Sequence, residues 1–434
     1  FKPCPVCSPA RASFWTGALP SVHGIHDYIQ ERSVHGEAHP GLAGQTNLAM
    51  RLRQAGYRTG LVGKWHCGHS DRVHAGFDFW FSISRGTDAR FGEQRFCDNG
   101  ESVTDHGHQA PVLTEAALRF LRGAARDEAR PWFLFVGYTD THGPFQGEPA
   151  RLVEHYRRCD FDDLGGESAA PCHGSIKPVQ PERADEVHES NAQYYAAVNL
   201  IDEKMGRVLD ELDNRGELEN TLIVYTSDHG HMNGHHGLWG KGNRTIPQNF
   251  LEEAIRVPCL LSWPGGFEGG QVRREPVDHC DLHATLLDVA GVSGNDAELA
   301  QSAGRSCLPL LCGERLAEPW RDAQCCEYGN ARMIRTEEAK LIRRYPGPNG
   351  HFRDELYDLA ADPRETRNAI DEPQRAEQVR RLSDQLDAYF ARWKTSSRSG
   401  VRIADQPRPN GSEPWSHMPR DAARALLREA PRQP

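Results

Sequence analysis

Hydrophobic residues along the chain alternate between helical and strand-like spacing. Helical spacing of the apolar positions covers residues 48–55, 113–125, about 190–214 and about 281–290. Short apolar runs that predict strands lie among these segments, at residues 59–62, 132–136, 221–225 and about 257–262. This alternation favours an α/β fold with a mostly parallel sheet that carries helices on both faces, and it places ligand-binding loops at the strand ends.

The pattern changes in the remaining parts of the chain. Residues 147–189 are polar, contain Gly, Pro and Cys without a clear period, and are interpreted as an insertion that can act as a lid. After about residue 314, strand-like segments at 332–344 and 355–359 and a helical pattern at 376–393 predict a small α+β unit. We therefore divide the chain into a main domain (residues 1–315), a C-terminal subdomain (316–395) and a loosely ordered tail (396–434) with a short helix near 421–428.

Composition narrows the class of protein. A chain of 434 residues with 38% apolar residues can bury one large core and carry a smaller second unit. The net charge of −10 argues against a surface built for nucleic acid or anionic membranes, although a small positive pocket can coexist with it. The sequence has no run of the roughly 18–20 apolar residues that a membrane helix needs, and the mean hydropathy of −0.67 agrees. We expect a soluble protein that is not integral to a membrane.

The start of the chain and its cysteines leave the compartment open. The first residue is Phe1 and chemically distinctive residues follow within ten positions, so we expect a fragment or a processed chain, in which a missing signal peptide decides nothing. Twelve cysteines are too few for a disulfide scaffold in a chain of this length. Cys325 with Cys326, and Cys159 with Cys172, are candidate disulfides, and reduced core thiols are an equal alternative.

Residues 7–11, Cys-Ser-Pro-Ala-Arg, carry the most specific signal. A cysteine beside an arginine at a predicted helix start is a candidate nucleophile of low pKa, and a packed thiol is the alternative. The whole run, continued by Ala-Ser at 12–13 and Thr-Gly at 16–17, resembles the signature of the formylglycine-dependent sulfatases. In that family a separate formylglycine-generating enzyme oxidises the cysteine to an aldehyde, and the Pro and Arg guide the modification. The resemblance implies that Cys7 is the precursor of the nucleophile and that Arg11 acts beside it.

The resemblance continues at four further residues. Lys64 and His66 lie in Gly-Lys-Trp-His, after the strand at 59–62, and resemble the family element whose lysine and histidine contact the sulfate and the nucleophile. His142, in Thr-His-Gly-Pro-Phe after the strand at 132–136, is similar to the family's further sulfate-binding histidine. Lys241, in Gly-Leu-Trp-Gly-Lys, is similar to the second sulfate lysine. Taken singly, each lysine can be a solvated charge and each histidine a core residue.

Asp228 and His229 are the candidate metal ligands. They follow the strand at 221–225, where adjacent side chains can turn toward one cation. In sulfatases this position supplies two ligands of a divalent metal, usually calcium, and the nucleophile, here made from Cys7, is another. Oxygen ligands favour Ca²⁺ or Mg²⁺, whereas the histidine also permits Mn²⁺ or zinc, and we prefer Ca²⁺. A zinc site built from His229, His231, His235 and His236 is an alternative, but their spacing matches no usual tetrahedral pattern.

The resemblance also implies a fold and a deficit. It extends in the family's order to Glu-Leu-Tyr-Asp-Leu at 355–359 and implies an alkaline phosphatase-like fold, with a mixed, mostly parallel sheet between helices and a smaller C-terminal α+β subdomain. Family members also carry two adjacent Asp residues on a first strand upstream of the signature cysteine, and this chain starts too late to contain them. We therefore expect a weakly held metal, an exposed edge or gap in the sheet, and impaired or absent activity of the chain as given.

The implied activity is hydrolysis of sulfuric esters, of carbohydrates or other sulfated small molecules, with aryl sulfates as test substrates. In the implied mechanism one hydroxyl of the hydrated aldehyde attacks sulfur with help from the metal and Arg11. Lys64, Lys241 and His142 hold the sulfate, Lys241 or His142 protonates the leaving oxygen, and His66 is the base that releases sulfate.

Two alternatives stay open, a phosphonate monoester or phosphodiester hydrolase of the same superfamily and a non-catalytic anion-binding homologue. We expect no nucleic-acid partner and no membrane span, and among compartments we favour the periplasm or the cell exterior.

Overall fold

A computed structural model describes residues 1–29, 40–84, 90–124, 130–162, 164, 174–175, 184–292, 301–347, 350–393 and 396–406. The α-helices of this part are α1 (Cys7–Thr16), α2 (Pro20–His23), α3 (Leu48–Gln54), α4 (Gln109–Ala124), α5 (Ala150–Tyr156), α6 (Ala184–Asn214), α7 (Glu252–Ile255), α8 (His279–Val289), α9 (Leu308–Leu311) and α10 (Ala376–Ala391). The strands are β1 (Arg58–Gly63), β2 (Phe79–Ile83), β3 (Phe91–Asp98), β4 (Glu101–His108), β5 (Trp132–Gly137), β6 (Gly174–Ser175), β7 (Ile223–Thr226), β8 (Thr245–Ile246), β9 (Cys259–Ser262), β10 (Gln324–Tyr328), β11 (Ala331–Arg335), β12 (Ala339–Arg344) and β13 (Glu355–Asp358). Every helix and strand predicted between residues 48 and 290 is present, with ends shifted by a few residues.

The main sheet has five strands in the order β4-β3-β2-β1-β5. Strand β1 pairs in parallel with β2 and with β5, and its residues are almost entirely buried because helices cover both faces. Strands β3 and β4 extend the sheet by antiparallel pairing. The sheet is therefore mixed, as predicted, with parallel strands at the end that carries the predicted site and an antiparallel hairpin at the other edge.

Two hydrophobic layers enclose this sheet. On one face α1, α3 and α8 pack around a cluster of large aromatic side chains that includes Trp15, Trp65 and Trp80, each fully buried. On the other face α4 contributes Phe120 and α6 contributes Leu212. Side chains of this size bury enough apolar area to hold the helices in fixed positions on the sheet. The strand ends between the two layers are consequently rigid supports for a site.

A gap separates β5 from β7. Strand β7 pairs in antiparallel fashion with β9, and among the described strands neither β7 nor β9 is hydrogen-bonded to the five-stranded sheet. A cavity of about 1740 Å³ lies between β5 and β7, lined along both strands and by side chains of α6 and α8. The sequence led us to expect such a gap, and its assignment to a particular first strand stays a prediction. Lys64, Asp228 and Lys241 also line this cavity, so it opens onto the predicted site.

The C-terminal subdomain is a four-stranded antiparallel sheet, β10-β11-β12-β13, with α10 packed on β11 and β12. It is joined to the main domain by buried polar contacts. The Lys340 ammonium of β12 is fully buried and lies 2.8 Å from Glu252 Oε1 and 2.6 Å from Glu365 Oε1. The α+β character predicted after residue 314 is thus present, while the exact division of the chain into domains stays a prediction.

Other expectations have mixed outcomes. Within residues 396–406, Ile403 is buried and Arg398 O accepts a hydrogen bond from the His26 ring, and the loose order of the tail from residue 396 stays a prediction. Cys325 and Cys326 are free thiols, whereas the pair Cys159 with Cys172 includes a residue outside the described part. The predicted lid at 147–189 is described only in part, by α5 and the start of α6, and the predicted helix at 421–428 lies outside the described residues. Among described helices, none combines the length and the hydropathy needed to span a bilayer.

Candidate active site

The nucleophile candidate sits at the N-terminus of α1. Cys7 is the first residue of this helix and is 1% exposed, and Val6 before it provides no side-chain cap. The unpaired backbone N–H groups of the first turn therefore favour negative charge at this position. Arg11 lies one helical turn further on, so its side chain projects from the same face as Cys7. The signature residues are brought together by the helix itself.

The second part of the site is set by a glycine at the end of β1. Gly63 has φ +93°, and a side-chain Cβ there would lie 2.3 Å from Gly137 O on β5. Only glycine permits both the left-handed backbone and this close approach. The next residue, Lys64, donates its backbone N–H to Gly137 O at 2.9 Å, and its side chain is turned into the buried site.

Cations surround Cys7. Lys241 Nζ donates a hydrogen bond to Cys7 Sγ at 2.7 Å, and His229 Nε2 lies 3.3 Å from the same sulfur. Burial by itself raises the pKa of the Cys7 thiol, but the charges of Lys241 and Lys64 and the contact with His229 outweigh it, so this pKa lies well below its ordinary value. Burial also lowers the pKa of Lys64, against the opposing effect of Cys7. The geometry favours a thiolate over an inert packed thiol.

Asp228 is paired with Arg11. Arg11 Nε donates to Asp228 Oδ2 at 2.7 Å, and Arg11 Nη1 donates to Lys64 O at 2.6 Å. Burial raises the pKa of Asp228, yet Arg11, His229 and the two site lysines bring it well below the usual value. Asp228 is therefore a carboxylate at neutral pH, and Arg11 connects the helix, β1 and the loop after β7.

Each histidine of the site has one ring nitrogen fixed by a backbone carbonyl. His66 Nε2 donates to Ile29 O at 2.9 Å, His142 Nδ1 to Gly143 O at 2.8 Å, and His229 Nδ1 to Gly230 O at 2.8 Å. The remaining nitrogen of each ring is then an unprotonated acceptor in the neutral form. Burial, followed by nearby lysine charges, lowers the pKa of His66 and brings that of His142 well below its usual value.

Three residues could hold a metal ion. Ligating atoms of Cys7, Asp228 and His229 all lie within 4.8 Å of one another, with Asp228 Oδ1 3.5 Å from His229 Nε2. Arg11 occupies only Oδ2 of the carboxylate, so Oδ1 and His229 Nε2, which lies 3.1 Å from Lys241 Nζ, fit two positions of a divalent cation. Calcium takes roughly six to eight oxygen ligands, and this set supplies three ligands in all. The residues fit a divalent metal, with an incomplete coordination shell.

The other histidines of the 229–236 segment point elsewhere. His231 packs against Phe145 and Tyr194, and burial lowers its pKa to about 3. His235 and His236 both face Glu253, at 3.6 and 3.4 Å. Within the described residues these histidines form no common ligand set with His229. The zinc alternative built on this segment loses its geometric basis.

All predicted site residues converge, and two features were missed. Lys2 is fully buried near Asp228, and burial lowers its pKa to about 7. Asp140 and Glu148, both buried in the segment after β5, form a cluster with the partly buried His108 at the end of β4. Residue spacing along the sequence does not predict either feature, because the residues that meet come from separate segments of the chain. Asp140 does lie next to a predicted motif, since it precedes His142 by only two positions.

Comparisons with known proteins agree with this geometry. A family model described as Sulfatase matches residues 1–292, and one described as N-sulphoglucosamine sulphohydrolase, C-terminal, matches residues 234–392. The choline-sulfatase of Rhizobium meliloti (strain 1021) is 28% identical over 461 residues, which cover 96% of this chain and 85% of that protein.

Solved structures share the architecture. A protein in complex with D-glucosamine-2-N,6-O-disulfate, named as its substrate, has a TM-score of 0.70 at 23% identity and covers 90% of this chain and 89% of its own. The phosphonate monoester hydrolase of Agrobacterium radiobacter has a TM-score of 0.65 at 21% identity, covering 89% and 86%. At these identities the matches establish the fold, and they confirm the fold class predicted from the sequence.

Proposed function

Because this chain belongs to the sulfatase family and is a sulfatase by that membership, we propose that it cleaves sulfate esters through a formylglycine nucleophile made from Cys7. The observation that carries the proposal is the position of Cys7 Sγ. It lies at a helix N-terminus, 2.7 Å from Lys241 Nζ and 3.3 Å from His229 Nε2. This is an environment that stabilises negative charge on whatever atom stands there.

The sulfur stands in for an oxygen in the proposed enzyme. Once Cys7 is oxidised to the aldehyde, its hydrate carries two hydroxyls on one carbon, and one of them takes the place of Sγ. Lys241 and the helix N-terminus favour loss of its proton. The resulting oxygen attacks the sulfur of the substrate, and the bond from sulfur to the leaving oxygen breaks on the opposite side.

Lys241 is the better donor for the leaving oxygen. His142 donates its Nδ1–H to Gly143 O, and because its pKa is lowered, its other ring nitrogen carries no proton. Lys241 carries ammonium protons within hydrogen-bonding distance of the nucleophile position. We propose that Lys241 protonates the leaving alcohol, while Lys64, Arg11 and His142 bind and orient the sulfate.

Release of sulfate needs a base, and His66 is suited to it. Its Nε2–H is fixed on Ile29 O, and its Nδ1 has no hydrogen-bond partner among the described residues. The lowered pKa keeps the ring neutral. We propose that Nδ1 takes the proton of the remaining hydroxyl, so that the aldehyde C=O forms, the bond to the sulfate oxygen breaks and sulfate leaves.

A divalent metal completes the proposal. Asp228, His229 and the oxygen that derives from Cys7 would hold it, and it would neutralise negative charge on the nucleophile and the sulfate. We propose Ca²⁺ because a carboxylate and hydroxyl oxygens suit it, with Mg²⁺ or Mn²⁺ as substitutes. The pairing of Arg11 with Asp228 holds the carboxylate in place for this role.

For the substrate we propose a sulfated carbohydrate or another small sulfated alcohol. The glucosamine disulfate bound by one structural neighbour and the choline named for the curated relative support these two classes. The phosphonate monoester hydrolase fold match keeps phosphonate and phosphate esters as a second candidate, since the same cations bind either anion. Turnover of a matched aryl sulfate, aryl phosphonate and aryl phosphodiester decides between them.

The test of the proposed function uses the full gene product, co-expressed with a formylglycine-generating enzyme. We expect hydrolysis of 4-nitrophenyl sulfate with Ca²⁺ present, and we expect Cys7→Ser to form the sulfated residue once and stop, because serine lacks the second hydroxyl. Steady turnover by Cys7→Ser would contradict the mechanism. An unreactive but sulfate-binding wild type would instead favour the anion-binding homologue.

A further inference from the structure

The loop that carries His142 is held by a buried arginine. Arg90 is 3% exposed and donates from Nη2 to Pro144 O at 2.5 Å and from Nη1 to Glu148 Oε1 at 2.7 Å. The backbone N–H of Glu148 donates to Gln193 Oε1 on α6 at 3.0 Å. These contacts fix the end of the loop that lies beyond His142.

His108 holds the other end of this loop. It terminates β4, and its ring lies between two buried carboxylates: Nε2 is 3.0 Å from Glu148 Oε2, and Nδ1 is 3.2 Å from Asp140 Oδ1. Nδ1 also accepts a long hydrogen bond from the backbone N–H of Ala110 at 3.4 Å, which favours the shared proton on the Asp140 side. Asp140 is 1% exposed. Within the described part of the chain its carboxylate oxygens accept no well-directed side-chain hydrogen bond, and beyond His108 they have only a weak backbone contact at Thr139.

A proton is required between His108 and Asp140. If both groups were unprotonated, a ring lone pair and a carboxylate oxygen would face each other at 3.2 Å in a water-poor site, which is repulsive. One proton, on either Nδ1 or the carboxyl, turns this repulsion into a hydrogen bond. Burial raises the pKa of Asp140 to about 6 in spite of His108 and Arg90, in keeping with the cost of a bare carboxylate here.

We propose that His108 and Asp140 share one proton, and that this proton, together with the Arg90–Glu148 ion pair, positions His142 in the active site. The four residues are positioning residues, since none of them lines the cavity that holds the sulfate-binding groups. Asp140 is separated from His142 by a single residue, so a displacement of Asp140 is passed directly to the sulfate-binding ring.

The charges around the pair set its pH dependence. The charged groups that face Asp140 are His108, Arg90 and Glu148. The Tyr138 hydroxyl is also near, and burial together with the charge of Asp140 raises its pKa to about 12, so it stays neutral over the pH range of the test. With the shared proton the net charge of the four residues is zero. If the proton is on His108, Arg90 and His108 oppose Asp140 and Glu148; if it is on Asp140, Arg90 opposes Glu148 alone. Loss of the proton as the pH rises above about 6 leaves Asp140 charged beside a neutral ring, and the loop is released.

A metal ion is the competing occupant. Ligating atoms of His108, Asp140 and Glu148 lie within 4.8 Å of one another. However, the ring presents different nitrogens to the two carboxylates, and one cation can bind only one of them. The Arg90 guanidinium on Glu148 also repels a cation. The geometry thus favours a proton, and metal content is part of the test.

The experiment compares Asp140→Asn with Asp140→Ala across pH, using kcat/KM on an aryl sulfate. The asparagine amide can donate N–H to His108 Nδ1 at every pH, so we expect activity within about threefold of wild type below about pH 6 and no loss from this pair as the pH rises above about 6. Asp140→Ala removes the contact, and a His142 ring misplaced by about 1 Å is expected to lower kcat/KM about 100-fold, chiefly through KM. Arg151→Gln on the adjacent α5, which removes an exposed ion pair with Glu203 of α6, is the control and should match wild type.

Two results would overturn the proposal. One is a pH profile of kcat/KM above about pH 6 that is identical in wild type and Asp140→Asn. The other is a bound metal that wild type retains after dialysis and Asp140→Asn loses. The inference rests on the proposed function only for the kinetic readout. Hydrogen exchange of the segment 139–149 tests it without turnover: protection, corrected for intrinsic rates, should fall as the pH rises above about 6 in wild type and persist in Asp140→Asn. An inactive wild type with this exchange pattern would refute the proposed function and leave the shared proton of His108 and Asp140 supported, whereas unchanged exchange would refute the shared proton.

Discussion

Replacing Lys241 by Met removes a cation from the nucleophile position while it keeps most of the length of the side chain. Lys241 Nζ lies 2.7 Å from Cys7 Sγ and the residue is 9% exposed, so water cannot take its place without rearrangement. Loss of one buried donor to developing negative charge costs about 100- to 1000-fold in kcat, or about 3–4 kcal/mol. We expect a loss of this size on 4-nitrophenyl sulfate, whose leaving phenoxide needs little protonation.

An alkyl sulfate separates the role of acid from that of a fixed cation. An alkoxide is a far poorer leaving group, so loss of the general acid should cost about a further 100-fold or more on this substrate. Lys64→Met is the matched control, because it removes a buried sulfate-binding cation and should slow both esters by the same factor. The assay measures kcat for both esters in both variants and in His142→Gln. An equal loss on both esters for Lys241→Met, or a selective loss for His142→Gln, would refute the assignment of Lys241 as the acid.

Two further predictions concern stability. Lys340→Met leaves the carboxylates of Glu252 and Glu365 buried without their shared cation, and should lower the free energy of unfolding by about 3–5 kcal/mol in urea titrations; a loss below about 1 kcal/mol would contradict this. Burial lowers the pKa of His283 to about 4, against the opposing bond to Phe14 O, so the unfolded chain binds the proton more tightly between about pH 4 and 6.5. The stability that neutral His283 contributes is therefore fully present above about pH 6.5 and falls by up to about 3 kcal/mol toward pH 4. His283→Gln should flatten this part of the pH profile of thermal unfolding.

The parts of the fold that the sequence predicted are those with a physical signature in one segment. Strands β1 and β5 are apolar runs because both faces of a parallel strand are covered, and α4 and α6 show helical spacing. The β3–β4 hairpin was missed because β4 is mostly exposed and polar. Its turn does carry a signal, since Asn99-Gly100 with positive φ at both residues suits a tight hairpin turn.

The site residues also divide into those that the sequence predicted and those that it did not. Cys7, Lys64, His142 and Lys241 stand in short motifs that a family resemblance can identify, and the structure brings them together. The shared-proton pair of His108 and Asp140 arises only when the end of β4 meets the loop after β5. Contacts of this kind depend on tertiary packing, which local patterns do not encode. The choice of Lys241 over His142 as the general acid likewise depended on a contact in the structure, the hydrogen bond that His142 Nδ1 donates to Gly143 O.

The central claim is that Cys7 becomes formylglycine, and peptide mass spectrometry tests it most directly. The full gene product is co-expressed with a formylglycine-generating enzyme, digested, and the peptide that contains both Cys4 and Cys7 is analysed after thiol alkylation. Cys4 is buried, lacks the Pro and Arg at the required spacing, and serves as the internal control that stays a thiol. The account predicts an aldehyde at Cys7 and an alkylated thiol at Cys4. A Cys7 that is fully alkylated, while a known substrate of the generating enzyme is converted in the same cells, would contradict it.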